Sequence, residues 1–284
     1  KKEEEINVNR LPTDFPTEFQ GTVTRIHSSC SFEITTKSDK GDQKYVVYLN
    51  NVKAPYFFFY KSGGCEPFGY EAREFLRKHY VGQVVKVVVD GCYNTNPNPA
   101  VFYGVRAFAT IYHEKKCVNE EFVRSGFAQY HDSFIDRSSQ RAQQIRQADQ
   151  EARDKKNGMH NPSLQVEAAQ IEDLVNYTNL QRRAQEVLGQ IREQKLEGVI
   201  EHITMGGRLY VYIPSKGIYI KCGVNGIISY SAADRMSSDV YKYMTEHFEQ
   251  ATVEIVPCIL GKYECFYCWI TIKSFFGKSY DLAE

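Results

Sequence analysis

The chain has 284 residues, of which 42% are hydrophobic and 13% aromatic, enough for more than one average domain and for a substantial core. Lysine plus arginine and aspartate plus glutamate both number 35, so the formal net charge is zero. This excludes a globally disordered chain and a wholly basic nucleic-acid binder; any phosphate binding has to use a local patch. The eight cysteines (Cys30, Cys65, Cys92, Cys117, Cys222, Cys258, Cys265 and Cys268) are scattered through apolar runs. They read as reduced thiols of a cytoplasmic protein, with the nucleus as a second location, rather than as a disulfide framework. No apolar run approaches the ~20 residues of a membrane span, so no membrane partner is expected. The mixed-charge start Lys1–Glu5 does not read as a targeting sequence.

In chain order, residues 1–17 are polar, contain Pro12 and Pro16, and read as an entry arm. Alternating patterns predict strands near 18–26, 32–37 and 44–49, with a hairpin turn over 38–42. An aromatic loop follows, Tyr56-Phe57-Phe58-Phe59-Tyr60, before Gly63-Gly64. Pro67 suits a first helical turn. Phe68, Ala72, Phe75 and Leu76 then recur at helical spacing, with Arg73, Arg77 and Lys78 expected on the opposite side and Gly82 as the stop. Val84, Val85, Val87, Val88 and Val89 predict a buried central strand. A surface loop over 93–99, a fifth strand over 105–112, a short helix over 118–125 stopped by Gly126, and a longer helix over 136–156 ended by Asn157-Gly158 complete the unit. The order βββαβαα fits a small α+β domain, an OB-type five-stranded barrel with flanking helices over 18–160.

A polar, partly helical linker is expected over 161–195. From Leu196 the pattern restarts, with strands near 196–203, 208–213 and 217–223, a helix over 232–248, and strands over 251–257 and 265–273. This reads as a second barrel over 196–284, truncated where two last helices would start.

The strings Glu71-Ala72-Arg73-Glu74-Phe75-Leu76-Arg77-Lys78, Val81-Gly82, Ala109-Thr110-Ile111, Val118-Asn119-Glu120-Glu121-Phe122-Val123 and Glu151-Ala152-Arg153 with Gly158 carry a resemblance. They resemble the helices and last strands of a staphylococcal-nuclease-like domain, and most closely a repeat of the Tudor staphylococcal nuclease family. The second barrel resembles the following repeat. The resemblance implies an RNA-binding protein of silencing complexes and transcriptional coactivation, with silencing-complex or transcription proteins as partners. It also implies further repeats and a Tudor module in a longer chain.

Nucleases of this fold hold calcium with two Asp, activate water with the help of a Glu and clamp the phosphate with two Arg. Hard oxygens suit calcium, and cations belong where transition-state charge develops. The resemblance puts Cys30 at the first metal position, Tyr48 at the first Arg, Lys53 at the second metal Asp and Tyr56 at the base; Arg106 retains the second Arg. In the second unit Met205-Gly206-Gly207-Arg208 places an arginine where a carboxylate would sit, and the stretch 225–229 is apolar. No metal site and no cofactor are therefore expected.

Nucleic-acid contacts are sought instead among Lys115, Lys116, Arg124, Arg137, Arg141, Arg146, Lys155, Lys156, Arg182 and Arg183, against the simpler reading of a solvated helix face interleaved with acids. The aromatics 56–60 either stack on bases or pack between barrel and helix; packing is favoured, because five exposed rings in a row invite aggregation. Cys265-x-x-Cys268 lies in a strand without a second ligand pair, and reads as two packed cysteines rather than half a zinc site. Two rival functions stay open: a calcium-dependent ribonuclease, and a protein-interaction scaffold that does not touch nucleic acid.

Overall fold

A computed structural model describes residues 15–38, 41–57, 65–94, 105–132, 140–176, 180–227, 237–273 and 279–281. The chain divides into two units, Lys1–Ala169 and Gln170–Glu284. The expected arm 1–17 lies mostly outside the described residues.

In the first unit β1 (Glu18–Ser28), β2 (Ser31–Thr36) and β3 (Gln43–Leu49) form a meander. Helix α1 (Gly69–Tyr80) leads into β4 (Val84–Asn94), and β5 (Val105–His113) pairs antiparallel with it. The sheet runs in the order β3-β2-β1-β4-β5 and closes on itself through a parallel pairing of β3 with β5, Val47 opposite Ala107 and Leu49 opposite Ala109. Inward residues alternate along each strand: Phe32 and Ile34, Val47 and Leu49, Val85 and Val87, Ala107, Ala109 and Ile111 are all buried. Helices α2 (Val118–Arg124) and α3 (Gln140–Asp154) follow. Ala142, Ile145, Ala148 and Ala152 make a narrow buried stripe along α3.

Two details differ from expectation. Pro67 is not in the first helical turn: α1 starts at Gly69, after Phe68 at φ 64°. Arg73 and Arg77 do not lie on an outer face; each is 1% exposed. The buried residues Gly69, Ala72, Arg73, Leu76, Arg77 and Tyr80 follow one helical stripe, so the two guanidinium groups occupy core positions. The Arg73 Nε–H donates to the Ile26 carbonyl at 3.2 Å, beside a register irregularity of β1, and its guanidinium lies 5.6 Å from the Phe57 ring centroid. Arg77 grips Glu74 with two hydrogen bonds, Nε to Oε1 at 2.7 Å and Nη2 to Oε2 at 2.8 Å. Most of the surface loop expected over 93–99 and the start of the helix expected over 136–156 lie outside the described residues.

The second unit repeats the barrel. Helix α4 (Gln181–Ile191) precedes β6 (Leu196–Ile203), β7 (Leu209–Ile213) and β8 (Ile218–Val224). Helix α5 (Ser237–Phe248) then leads to β9 (Thr252–Leu260) and β10 (Cys265–Lys273), and β11 (Ser279–Asp281) pairs with β10. Five strands again close through a parallel seam, here β8 with β10, Cys222 opposite Phe266 and Gly223 opposite Tyr267. The fold is thus two closed five-stranded barrels with flanking helices, of α+β class.

The expected linker 161–195 is corrected at its C-terminal part. Ala184, Val187, Leu188 and Ile191 of α4 join the same buried cluster as Ile200, Val211, Ile220, Val253 and Ile270, so this helix belongs to the second unit's core. Glu172 and Asp173 also pair with the edge of β8. All eight cysteines are free, and Cys265 and Cys268 are both buried, as packed thiols would be.

Candidate nucleic-acid interface

Of the five residues expected at family site positions, Tyr48 and Arg106 lie on the two seam strands of the first barrel, and Cys30 and the loop carrying Tyr56 are tied to the end of β3. Ser29 and Cys30 form the turn between β1 and β2, braced by Ser28 Oγ and Ser31 Oγ at 2.7 Å. The Leu49 N–H donates to the Cys30 carbonyl at 3.0 Å, which ties the turn to the end of β3. The Ser29 hydroxyl donates to the Pro55 carbonyl, bringing the loop that carries Tyr56 alongside. Strand alternation turns Tyr48 outward between buried Val47 and Leu49, and Arg106 outward before buried Ala107. The Arg106 guanidinium lies 5.2 Å from the Tyr48 ring centroid, and Phe108 lies 5.9 Å from the same ring. Burial pushes the Cys30 thiol above its ordinary pKa, against a Ser28 hydrogen bond and the nearby Arg106 charge.

These groups do not fit calcium. A half-buried thiol kept protonated, an exposed ammonium on Lys53 and an exposed phenol on Tyr56 offer no hard anionic oxygen. The nearby carboxylates are committed: Glu66 Oε2 accepts from the Tyr56 N–H at 2.7 Å, and Glu33 holds Lys44 at 3.0 Å and His27 at 3.2 Å. Lys53 pairs with Gln129 in a short two-stranded ladder, Val52–Lys53 against Gln129–Tyr130. Among the described residues no group of three or more His, Cys, Asp or Glu is gathered as for a metal ion. Of the aromatic loop, Tyr56 is exposed and Phe57 fully buried against Tyr70 at 5.4 Å; 58–60 lie outside the described residues.

The ten proposed cations are only partly brought together. Lys115, Lys116, Arg124 and Arg141 border two adjoining clefts of about 660 and 460 Å³, which share Tyr112 and Lys115; Lys86 adds a further cation. Glu114, Glu120 and Glu121 stand in the same walls. Arg141 donates from Nη1 to Asp90 at 3.0 Å, and the buried Asp90 carboxylate also accepts from Thr110 Oγ1 at 2.7 Å and Asn50 Nδ2 at 3.1 Å. Arg124 binds both Glu120 at 2.5 Å and Glu151 at 3.0 Å. Arg146 lies over the Tyr130 ring at 4.8 Å with Asp132 at 3.5 Å. Lys116 reaches Glu121 at 3.6 Å, whereas Lys115, Lys155 and Lys156 are exposed without an ion pair among the described residues. Arg182 and Arg183 belong to the second unit; Arg183 is clamped by Glu172 at 2.5 and 2.9 Å and Arg182 pairs with Glu186 at 3.2 Å. Arg137 lies outside the described residues. Much of the apparent basic face therefore holds the fold together, and Asp90 is the partner that residue spacing did not reveal.

The second barrel carries a related arrangement at its own seam, one that the sequence showed only as an arginine in a glycine turn. Arg208, directly before β7, places its guanidinium 5.2 Å from the Tyr267 ring centroid, with Nη2 donating to the Tyr267 hydroxyl at 3.2 Å. Two glycines leave the room: a Cβ at Gly223 would lie 2.3 Å from Arg208 Nη1, and one at Gly261 would lie 2.4 Å from Tyr267 Cε2. Arg208 Nη1 is buried with no acceptor among the described residues, a state that ordinarily costs about 1–3 kcal/mol or more for a charged group.

Among curated proteins, no match to the chain is found. Residues 46–161 match the family model described as "Staphylococcal nuclease homologue". That span runs from β3 to the end of the turn after α3 and includes Tyr48, Lys53, Tyr56 and Arg106, so the first unit contains a staphylococcal-nuclease-like domain, and its seam carries the Arg106–Tyr48 stack.

Proposed function

We propose that this chain binds RNA as a scaffold of the Tudor-SN type, acting in RNA silencing and transcriptional coactivation in the cytoplasm and nucleus, without calcium or another cofactor. The observation that carries the reading is the Arg106–Tyr48 stack above Cys30. It supplies a cation and a ring for a phosphate and a base, with no hard-oxygen set to hold a metal beside them. Exposed Lys115, Lys155 and Lys156 add charge on the same unit. A barrel with these groups grips a strand without the means to cut it.

The test is filter binding of a labelled single-stranded RNA at two salt concentrations. With three or four phosphate contacts, affinity falls on the order of 10- to 60-fold between 50 and 200 mM salt, and Arg106→Gln lowers the logarithmic slope by about 0.7. Retention that ignores salt overturns the phosphate contacts. Cleavage that appears with calcium and disappears with chelator overturns the scaffold reading in favour of a nuclease.

A further inference from the structure

We propose that the outward face of the second barrel along its β8–β10 seam is a base-stacking site for single-stranded nucleic acid. Trp269, Tyr267 and Tyr263 are its platforms, and Arg208, Lys221 and Lys262 face the phosphates. The proposal rests on the nucleic-acid reading for its class of ligand, but every residue in it belongs to the second unit.

Along β10 the inward positions Phe266, Cys268, Ile270 and Ile272 are buried, so Tyr267 and Trp269 point outward on one face, about 7 Å apart along the strand. Trp269 is 47% exposed. Tyr263, in the loop between β9 and β10, is 81% exposed and sits at φ 58°, followed by Glu264 at φ 53°. Two consecutive non-glycine residues in the left-handed region carry strain, and here that strain turns an aromatic ring into solvent. The Lys221 ammonium donates to the Tyr263 carbonyl at 3.0 Å and so holds the loop beside the seam. The floor is flat because Gly223 and Gly261 carry no side chain beneath the Arg208–Tyr267 stack.

Charge selects the occupant. Unlike Arg124, Arg141 and Arg183, the three cations here have no carboxylate partner among the described residues. Exposed rings beside unneutralised cations match a ligand with flat faces and a negative backbone, and every base offers such a face. A purely apolar protein surface would leave all three charges buried and unpaired.

Trp269 is the only tryptophan, so its emission reports this face alone. The full chain is titrated with a roughly ten-nucleotide pyrimidine single strand, within the usual reach of such a groove. Saturable quenching is expected, weakened by salt, with affinity lower by about 5- to 150-fold in Tyr263→Ala, the range that loss of one base stack gives. A duplex of equal length should quench far less, because its bases are already stacked. Equal quenching by duplex, or quenching untouched by Tyr263→Ala, overturns the stacking site. Filter retention with no change in Trp269 emission sinks this site and leaves the first-unit reading standing. Neither retention nor quenching sinks both.

Discussion

Arg77 and Glu74 form an ion pair almost entirely shielded from water, on a helix that buries a second arginine, Arg73, beside Gly69, Ala72, Leu76 and Tyr80. Burial alone would raise the Glu74 pKa, but the hydrogen bonds from Arg77, with the charges of Arg77, Arg73 and Lys78, lower it. Removing Arg77 leaves the buried Glu74 carboxylate with the partly exposed Lys78, at 3.8 Å, as its remaining ion-pair partner. Arg77→Ala should therefore destabilise the first unit by about 3–5 kcal/mol, read as a shift of the urea midpoint. Replacing Glu74 and Arg77 together by apolar residues of similar volume should recover much of that loss. Glu33 makes a second, pH-dependent prediction. Burial opposes its ionisation, yet hydrogen bonds from His27 and Lys44 outweigh this and hold its pKa at about 2, against 4.5 for an ordinary glutamate. The unfolded chain thus binds the proton more tightly. The stability that Glu33 contributes is present above pH 4.5 and is lost as the pH falls toward 2. Melting temperatures measured across that window should fall less steeply for Glu33→Gln than for the parent.

At the scale of elements, the ends of α2 and α3 meet backbone to backbone. Gly126 has φ 80°, and a Cβ there would lie 2.2 Å from the Asn157 carbonyl oxygen; one at Gly158 would lie 2.5 Å from that of Gly126. The Met159 N–H donates to the Gly126 carbonyl at 2.9 Å, and Asn157 Nδ2 donates to the Arg124 carbonyl at 3.0 Å. Gly126→Ala adds both a left-handed alanine and a collision with backbone that cannot rotate away. It should cost at least about 2 kcal/mol in chemical denaturation, whereas Gly189→Ala, in open space on α4, should not. The sequence showed both glycines as helix stops, because stops are local. It could not show that one stop sits on the other, because that is a matter of three-dimensional packing. The same limit applies to α1. Its period was legible, but arginine at a core position reads as a surface residue until its partners, Glu74 and the Ile26 carbonyl, are seen.

For the molecule as a whole, strand order and barrel type were legible twice over, since alternation and turn residues are written locally. The Arg106–Tyr48 stack was half legible: both positions were identified, but not that they touch. Arg208 and Tyr267 are far apart in sequence, and nothing local joins them. Zero net charge now has a structural meaning. Arg141 is spent on the barrel's Asp90 and Arg124 on Glu151 of the next helix, while Arg106 and Arg208 sit beside aromatic rings at the two seams. Each seam also sets an order of events during synthesis. The pairing of Val47 with Ala107, and of Cys222 with Phe266, must wait until the last barrel strand has left the ribosome. Until then β3 or β8 presents an unsatisfied row of amides and carbonyls, an edge to which a neighbouring nascent chain can add its own strand. The step that completes each barrel is thus also the step that protects it from its siblings.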